Sequence, residues 1–175
     1  MKRRRTAPRR HDRTPTPAPI VRLDEARRRV AAARRAPGRA RIVLANGLFD
    51  LLHVGHLRYL RAARRHGDLL VVAINDDRSA RALRGPGRPL VPARDRARLV
   101  AAVRGVGLVL TFGGTTVTRV LLALRPDVHC KGTDYRPGTV PERAVVRGYG
   151  GVVRVVGDPK RHASTSMLAR MTAPD

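Results

Sequence analysis

Five short apolar runs, alternating with stretches of helical spacing, constrain this chain more than any other feature of its sequence. Residues 41–45, 68–74, 107–112, 127–130 and 152–156 are rich in Val, Ile and Leu, with little of the polar alternation of a strand that has one wet face. Between them apolar residues recur every three or four positions. Within 55–66, Leu57, Leu60 and Ala63 form one stripe, and Arg58, Arg61, Arg64 and Arg65 are left for water. Helices are likewise expected over 78–83, 93–104, 116–124, 142–149 and 164–171. Another precedes the first strand, with Leu23, Ala26, Val30 and Ala33 on one side, Asp24 as its cap and Pro37-Gly38 as its stop. Strands buried on both faces and alternating with helices predict the α/β class, with a doubly wound, five-stranded parallel sheet. Such sheets bind ligands beyond the carboxyl ends of their strands, near the point where strand order reverses.

Chemistry-bearing residues collect at those ends. After the first strand comes Asn46-Gly47-Leu48-Phe49-Asp50, then His53-Val54-Gly55-His56 at the start of a helix. A helix N-terminus offers unpaired N–H groups and a positive dipole end, which suits phosphate. Gly55 lets that backbone approach a ligand closely, and His53 and His56, three apart, can point to one side. Following the second strand, Arg84-Gly85-Pro86-Gly87-Arg88-Pro89 is either a phosphate-binding loop, with arginines making bidentate contacts, or a solvated turn. Lys131-Gly132-Thr133-Asp134-Tyr135 leaves the fourth strand, where Lys131 can reach into the cleft and Asp134 can meet hydroxyls or help hold a metal. Ser164-Thr165-Ser166 before Met167-Leu168 reads as an N-cap and as a second anion site. Cys130 reads as a buried strand residue rather than a nucleophile, and His129 as packing or surface rather than ligand.

Composition narrows the class. The chain of 175 residues accommodates one domain, taken as 20–175, behind a proline-broken basic tail, 1–19, expected to be disordered. One cysteine excludes an internal disulfide, no apolar run approaches the length of a membrane span, and the basic start lacks an apolar signal region. A cytoplasmic enzyme with no membrane association is the expectation. The net charge of +24 is spread along the chain, and five Phe and Tyr residues give few stacking platforms for bases, so no specific nucleic-acid function is expected. Lysine is used only at positions 2, 131 and 160 among 37 basic residues, so Lys131 invites a reason: a compact, movable charge where a planar fork would not fit.

The Asn46–Asp50 run followed by His53-x-Gly55-His56 resembles the signature of the HxGH nucleotidyltransferase superfamily. Over residues 23–170 the chain is most similar to the heptose 1-phosphate adenylyltransferases, the adenylyltransferase domain of ADP-heptose synthases. That likeness is carried also by Asn75-Asp76-Asp77, Gly87-Arg88-Pro89, Arg125-Pro126-Asp127, Lys131–Tyr135 and Ser164–Ser166. It implies a Rossmann-like fold and transfer of AMP from ATP to a sugar 1-phosphate, with pyrophosphate released. The same resemblance implies catalytic roles for His53, His56 and Lys131, and nucleotide contacts from Asn46, Gly47, Leu48, Phe49, Gly55, Ser164, Thr165 and Ser166. Asp50, Arg84, Arg88 and Asp134 are implied at the acceptor, Asp50 more as a brace for the loop than as a base. Mg²⁺ is expected to arrive with the triphosphate and to take few protein ligands. A homodimer through 93–112 is expected by analogy, and the sugar kinase often fused to this family is expected on a separate chain. Leu48 in place of the family's usual cysteine, and Gly113-Gly114 in place of a more acidic segment, leave the acceptor open. Glycerol-3-phosphate cytidylyltransferases share the histidine motif and the Ser/Thr segment, so CTP and a polyol phosphate form the alternative. Pantetheine-phosphate and nicotinamide-nucleotide adenylyltransferases and class I aminoacyl-tRNA synthetases carry related motifs, the last on much longer chains.

Overall fold

The computed structural model describes residues 16–136 and 138–158. In chain order the elements are α1 (Leu23–Arg35), β1 (Ile42–Gly47), α2 (Val54–Arg64), β2 (Leu69–Asn75), α3 (Asp77–Arg84) and α4 (Ala93–Ala101). There follow β3 (Leu108–Phe112), α5 (Thr118–Leu124), β4 (Val128–Lys131), α6 (Arg143–Gly148) and β5 (Val152–Val155). The strands form one parallel sheet in the order β3-β2-β1-β4-β5. The expected class and sheet are therefore present. The chain winds outward from β1 to β3, then crosses back to lay β4 on the other side of β1, which makes the β1/β4 boundary the switch point.

Side-chain alternation explains the continuous apolar runs. Val43, Ala45, Val72 and Ile74 face α2 and α4, where Leu60, Ala63, Ala97 and Val100 cover them. Ile42, Leu44, Val71 and Ala73 face the other way, onto Ala26 and Val30 of α1 and Val120 and Leu121 of α5. Each face needs its own helical layer, so neither set of positions can be polar.

Three sequence expectations are corrected. Asp24 does not cap α1: the helix begins at Leu23, its N-cap is Arg22 without a side-chain hydrogen bond, and Asp24 lies in the first turn. The cause is upstream, because Val21 N–H donates to Val109 O and Pro19 O accepts from Val109 N–H, which fixes the chain on the edge of β3 just before the helix. For the same reason the tail expected to end at residue 19 is already anchored at Ala18, whose N–H donates to Ala101 O. Helix α4 stops at Ala101, three residues early, before the left-handed Gly105 and the tight entry to β3 at Gly107, where a Cβ would lie 2.4 Å from Leu69 Cδ1. The helix expected over 164–171 lies outside the described residues. Among the described residues no helix is long and apolar enough to cross a membrane.

Candidate active site

A cleft of about 520 Å³ opens at the switch point, lined by the ends of β1, β2, β4 and β5 and by the start of α2. It collects Asn46, Gly47, Leu48, Phe49, Asp50, His53, Gly55, His56, Arg84, Arg88, Lys131 and Asp134, so every described residue assigned from sequence lies on one cavity. Ser164, Thr165 and Ser166 lie outside the described residues.

The two histidines are the caps of α2. His53 Nδ1 accepts from Gly55 N–H at 3.1 Å, and His56 Nδ1 accepts from His53 N–H at 3.4 Å. The rings stack with centroids 4.0 Å apart. A ring nitrogen that accepts carries no proton, so each imidazole bears its proton on Nε2. One local device therefore closes the helix end and sets both tautomers as donors. Phe49 backs this arrangement: its ring lies 5.1 Å from that of His56, and the residue is held at a φ of 51°. Gly47 makes room for it, since a Cβ there would meet the Phe49 ring at 3.1 Å.

Asp50 braces the neighbouring loop. Its Oδ1 accepts from the N–H groups of Leu90 and Val91 at 2.7 and 3.0 Å, and its Oδ2 pairs with Arg88 Nη1 at 2.7 Å. Burial pushes this carboxyl up, but the Val91 N–H, Arg88 and the Leu90 N–H together outweigh it and hold the group below the usual carboxylate range. Arg88 thus stands in the cleft already engaged by Asp50, while Arg84 ends α3.

On the opposite wall, Lys131 is 6% exposed. Its Nζ lies 4.5 Å above the Tyr135 ring and 3.6 Å from Glu142 Oε2. Burial lowers the ammonium's pKa, and the charges of Glu142 and Asp134 oppose that effect. Two residues back along β4, His129 is fully buried and bonds Asn46 Oδ1 through Nε2 at 3.0 Å, which aims the Asn46 amide. An amide oxygen only accepts, so the His129 proton is also on Nε2; burial, then Lys131, pushes its pKa down to about 3. Cys130 is a buried strand residue, its thiol pushed up to about 12 by burial. Tyr59 O–H, from α2, donates to Cys130 O at 2.7 Å and so ties the histidine helix to β4.

Several residues escaped the sequence reading. Arg96 is fully buried and donates from Nε to Val91 O at 2.8 Å, from Nη2 to Asp77 Oδ1 at 2.8 Å, and from Nη1 to Leu48 O. It locks the β1 loop, the arginine loop and α3 into one unit. Its signal was available, for Arg96 sits one turn before Val100 on the apolar face of α4. Thr115, Thr116 and Glu142 also line the cleft. Nothing local marks them, since it is sheet order that brings their loops to the site.

Fold and cleft together define a Rossmann-like α/β protein with a deep cleft at the switch point. A family model described as cytidylyltransferase-like matches residues 44–168, and the chain belongs to that family. Among curated relatives, the bifunctional protein HldE of Syntrophotalea carbinolica is 42% identical over 151 residues, 86% of this chain and 31% of the relative. The bifunctional protein HldE of Methylobacillus flagellatus is 47% identical over 133 residues, 76% of this chain and 27% of the relative. The chain thus spans about three tenths of the length of these relatives. The crystal structure of a lipopolysaccharide core biosynthesis protein from Thermoplasma volcanium superposes with a TM-score of 0.58 and 25% identity, covering 69% of this chain and 99% of that one.

Proposed function

We propose that this chain transfers AMP from ATP to a sugar 1-phosphate, heptose 1-phosphate foremost, and releases pyrophosphate. The observation that carries the reading is the pair of Nε2–H donors fixed by the α2 cap on a cleft whose far wall holds Lys131. Family membership supports nucleotidyl transfer, and the structural neighbour's part in lipopolysaccharide core biosynthesis supports a sugar acceptor.

An oxygen of the sugar phosphate attacks the α-phosphorus in line. The bond from that phosphorus to the bridging oxygen breaks, and pyrophosphate takes the electron pair. The attacking phosphomonoester is largely ionised already, its second pKa being about 6, so no general base is required. The chain's task is positioning and charge stabilisation. His53 and His56 donate to α- and β-phosphate oxygens as charge moves to the leaving group, Lys131 neutralises the phosphates, and the first turn of α2 supplies backbone donors. Asp50 holds the Arg88 loop against the acceptor, Arg84 and Asp134 contact it, and Ser164, Thr165 and Ser166 anchor the triphosphate. Mg²⁺ supplies further charge neutralisation when bound. That ion would be carried mainly on phosphate oxygens and water. We extend the proposal to a homodimer through residues 93–112, where Leu99 of α4 is 47% exposed.

Pyrophosphate release over a grid of nucleoside triphosphates and phosphorylated acceptors tests the reading. Activity with ATP and heptose 1-phosphate is expected. Turnover only with CTP and glycerol 3-phosphate would reassign the enzyme as a polyol-phosphate cytidylyltransferase.

A further inference from the structure

Glu142 is a buried carboxylate on the cleft to which the reaction above gives no task. Its residue is 5% exposed, and among the described residues its Oε2 accepts no hydrogen bond. The carboxylate stands at the residue preceding α6, where it could cap that helix, and does not. Lys131 Nζ, at 3.6 Å, forms an ion pair with it just beyond ordinary hydrogen-bond reach, and the same ammonium also meets the face of Tyr135 and the charge of Asp134. A buried carboxylate oxygen without a donor is costly, so an oxygen kept in that state on a ligand cleft is suited to a donor that comes with the ligand.

The neighbouring cation restricts what that ligand is. A phosphoryl group drawn to Lys131 brings whatever is bonded near it within a few ångströms of Glu142. A second phosphate oxygen there would be repelled, whereas a hydroxyl would both fill the lone pair and donate to a charged acceptor. We propose that Glu142 Oε2 accepts a hydrogen bond from a ligand hydroxyl carried next to the phosphoryl group held by Lys131, with the acceptor sugar as its bearer. This inference rests on the nucleotidyl-transfer reading and deepens it. Glu142 becomes the residue that selects a hydroxylated acceptor over phosphates flanked by plain methylene groups. A ribose hydroxyl of the nucleotide has the same chemistry, so the test separates the two sources.

The experiment compares kcat/KM for the sugar 1-phosphate and for its 2-deoxy analogue, in the unaltered chain, in Glu142→Gln and in Glu142→Ala. Parallel arms use ATP against 2′-deoxy- and 3′-deoxy-ATP. The unaltered chain is expected to favour the hydroxylated acceptor roughly 10- to 100-fold, the range for one hydrogen bond to a charged group. That preference should shrink in the glutamine variant, which keeps an acceptor without charge, and vanish in the alanine variant. If the coupling appears only in the nucleotide arms, the hydroxyl-accepting role stands with the ribose as donor. A purely structural role raises KM in both variants while leaving every hydroxyl-to-deoxy ratio unchanged, and that result overturns the inference. Should the unaltered chain turn over no nucleotide and acceptor pair at all, the nucleotidyl-transfer reading fails. Calorimetric affinities for the sugar phosphate and its deoxy analogue would then still report whether Glu142 senses the hydroxyl.

Discussion

His53 performs two physical tasks through two different ring nitrogens, and substitution can separate them. Its Nδ1 caps α2 by accepting from Gly55 N–H at 3.1 Å, while its Nε2 is the donor assigned to phosphate. Asparagine places an oxygen near the Nδ1 position and is a good N-cap residue, but carries nothing at the Nε2 position. His53→Asn should therefore keep the stability of the chain to within a few tenths of a kcal/mol, whereas His53→Ala, which removes the cap, should lose about 1 kcal/mol. For a domain of this size that corresponds to a fall in Tm of roughly 2–4 °C. Both variants lose the donor, and one preorganised donor is worth roughly 10²–10³ in rate, or about 2.7–4 kcal/mol of barrier. Circular dichroism melts and pyrophosphate release from the same preparations read the two effects. The two variants should differ in Tm and agree in turnover. An asparagine variant with near-normal turnover would show that Nε2 donates to nothing that matters. An alanine variant that melts with the unaltered chain would show that the capping bond contributes nothing.

Removing Arg96 strands Leu48 O and Val91 O and leaves the half-exposed Asp77 without its guanidinium, so Arg96→Leu should cost about 3 kcal/mol in urea unfolding. The loss should be largely independent of salt, because the guanidinium is fully buried. Asp50 has a folded pKa below its ordinary value of 3.8, so its stabilising contribution is complete above that value and is lost as pH falls through the lower one. The stability gap between the unaltered chain and Asp50→Asn should accordingly be constant near neutrality and close in strong acid; a gap that widened on acidification would contradict the assignment. Gly67→Ala puts a Cβ 2.5 Å from Arg41 O and 2.7 Å from Val43 Cγ2, a backbone obstacle that no rotamer relieves. It should destabilise by at least roughly 1–3 kcal/mol in the same unfolding assay, without a selective change in KM.

What the sequence determined alone is everything that depends on neighbours along the chain. Apolar runs without polar alternation meant strands, covered on both faces in β1 and β2 though not in the edge strand β5, and the spacing of Leu57, Leu60 and Ala63 meant a helix laid on the sheet. The strand-to-helix junction put His53 and His56 three apart on a helix start, which already implied their shared direction. Tertiary structure decided what depends on order in the sheet. Only the return of the chain to the far side of β1 sets Lys131 opposite the histidines, and only the turn after it brings Glu142 to the ammonium. The same long-range pairing moved the start of α1 off Asp24, because an edge bond to Val109 outweighs a local capping preference. Helix periods and caps are local and recur in any chain with that spacing. A buried charge finds its partner across 11 residues for Lys131 and 19 for Arg96, distances that only the folded sheet closes.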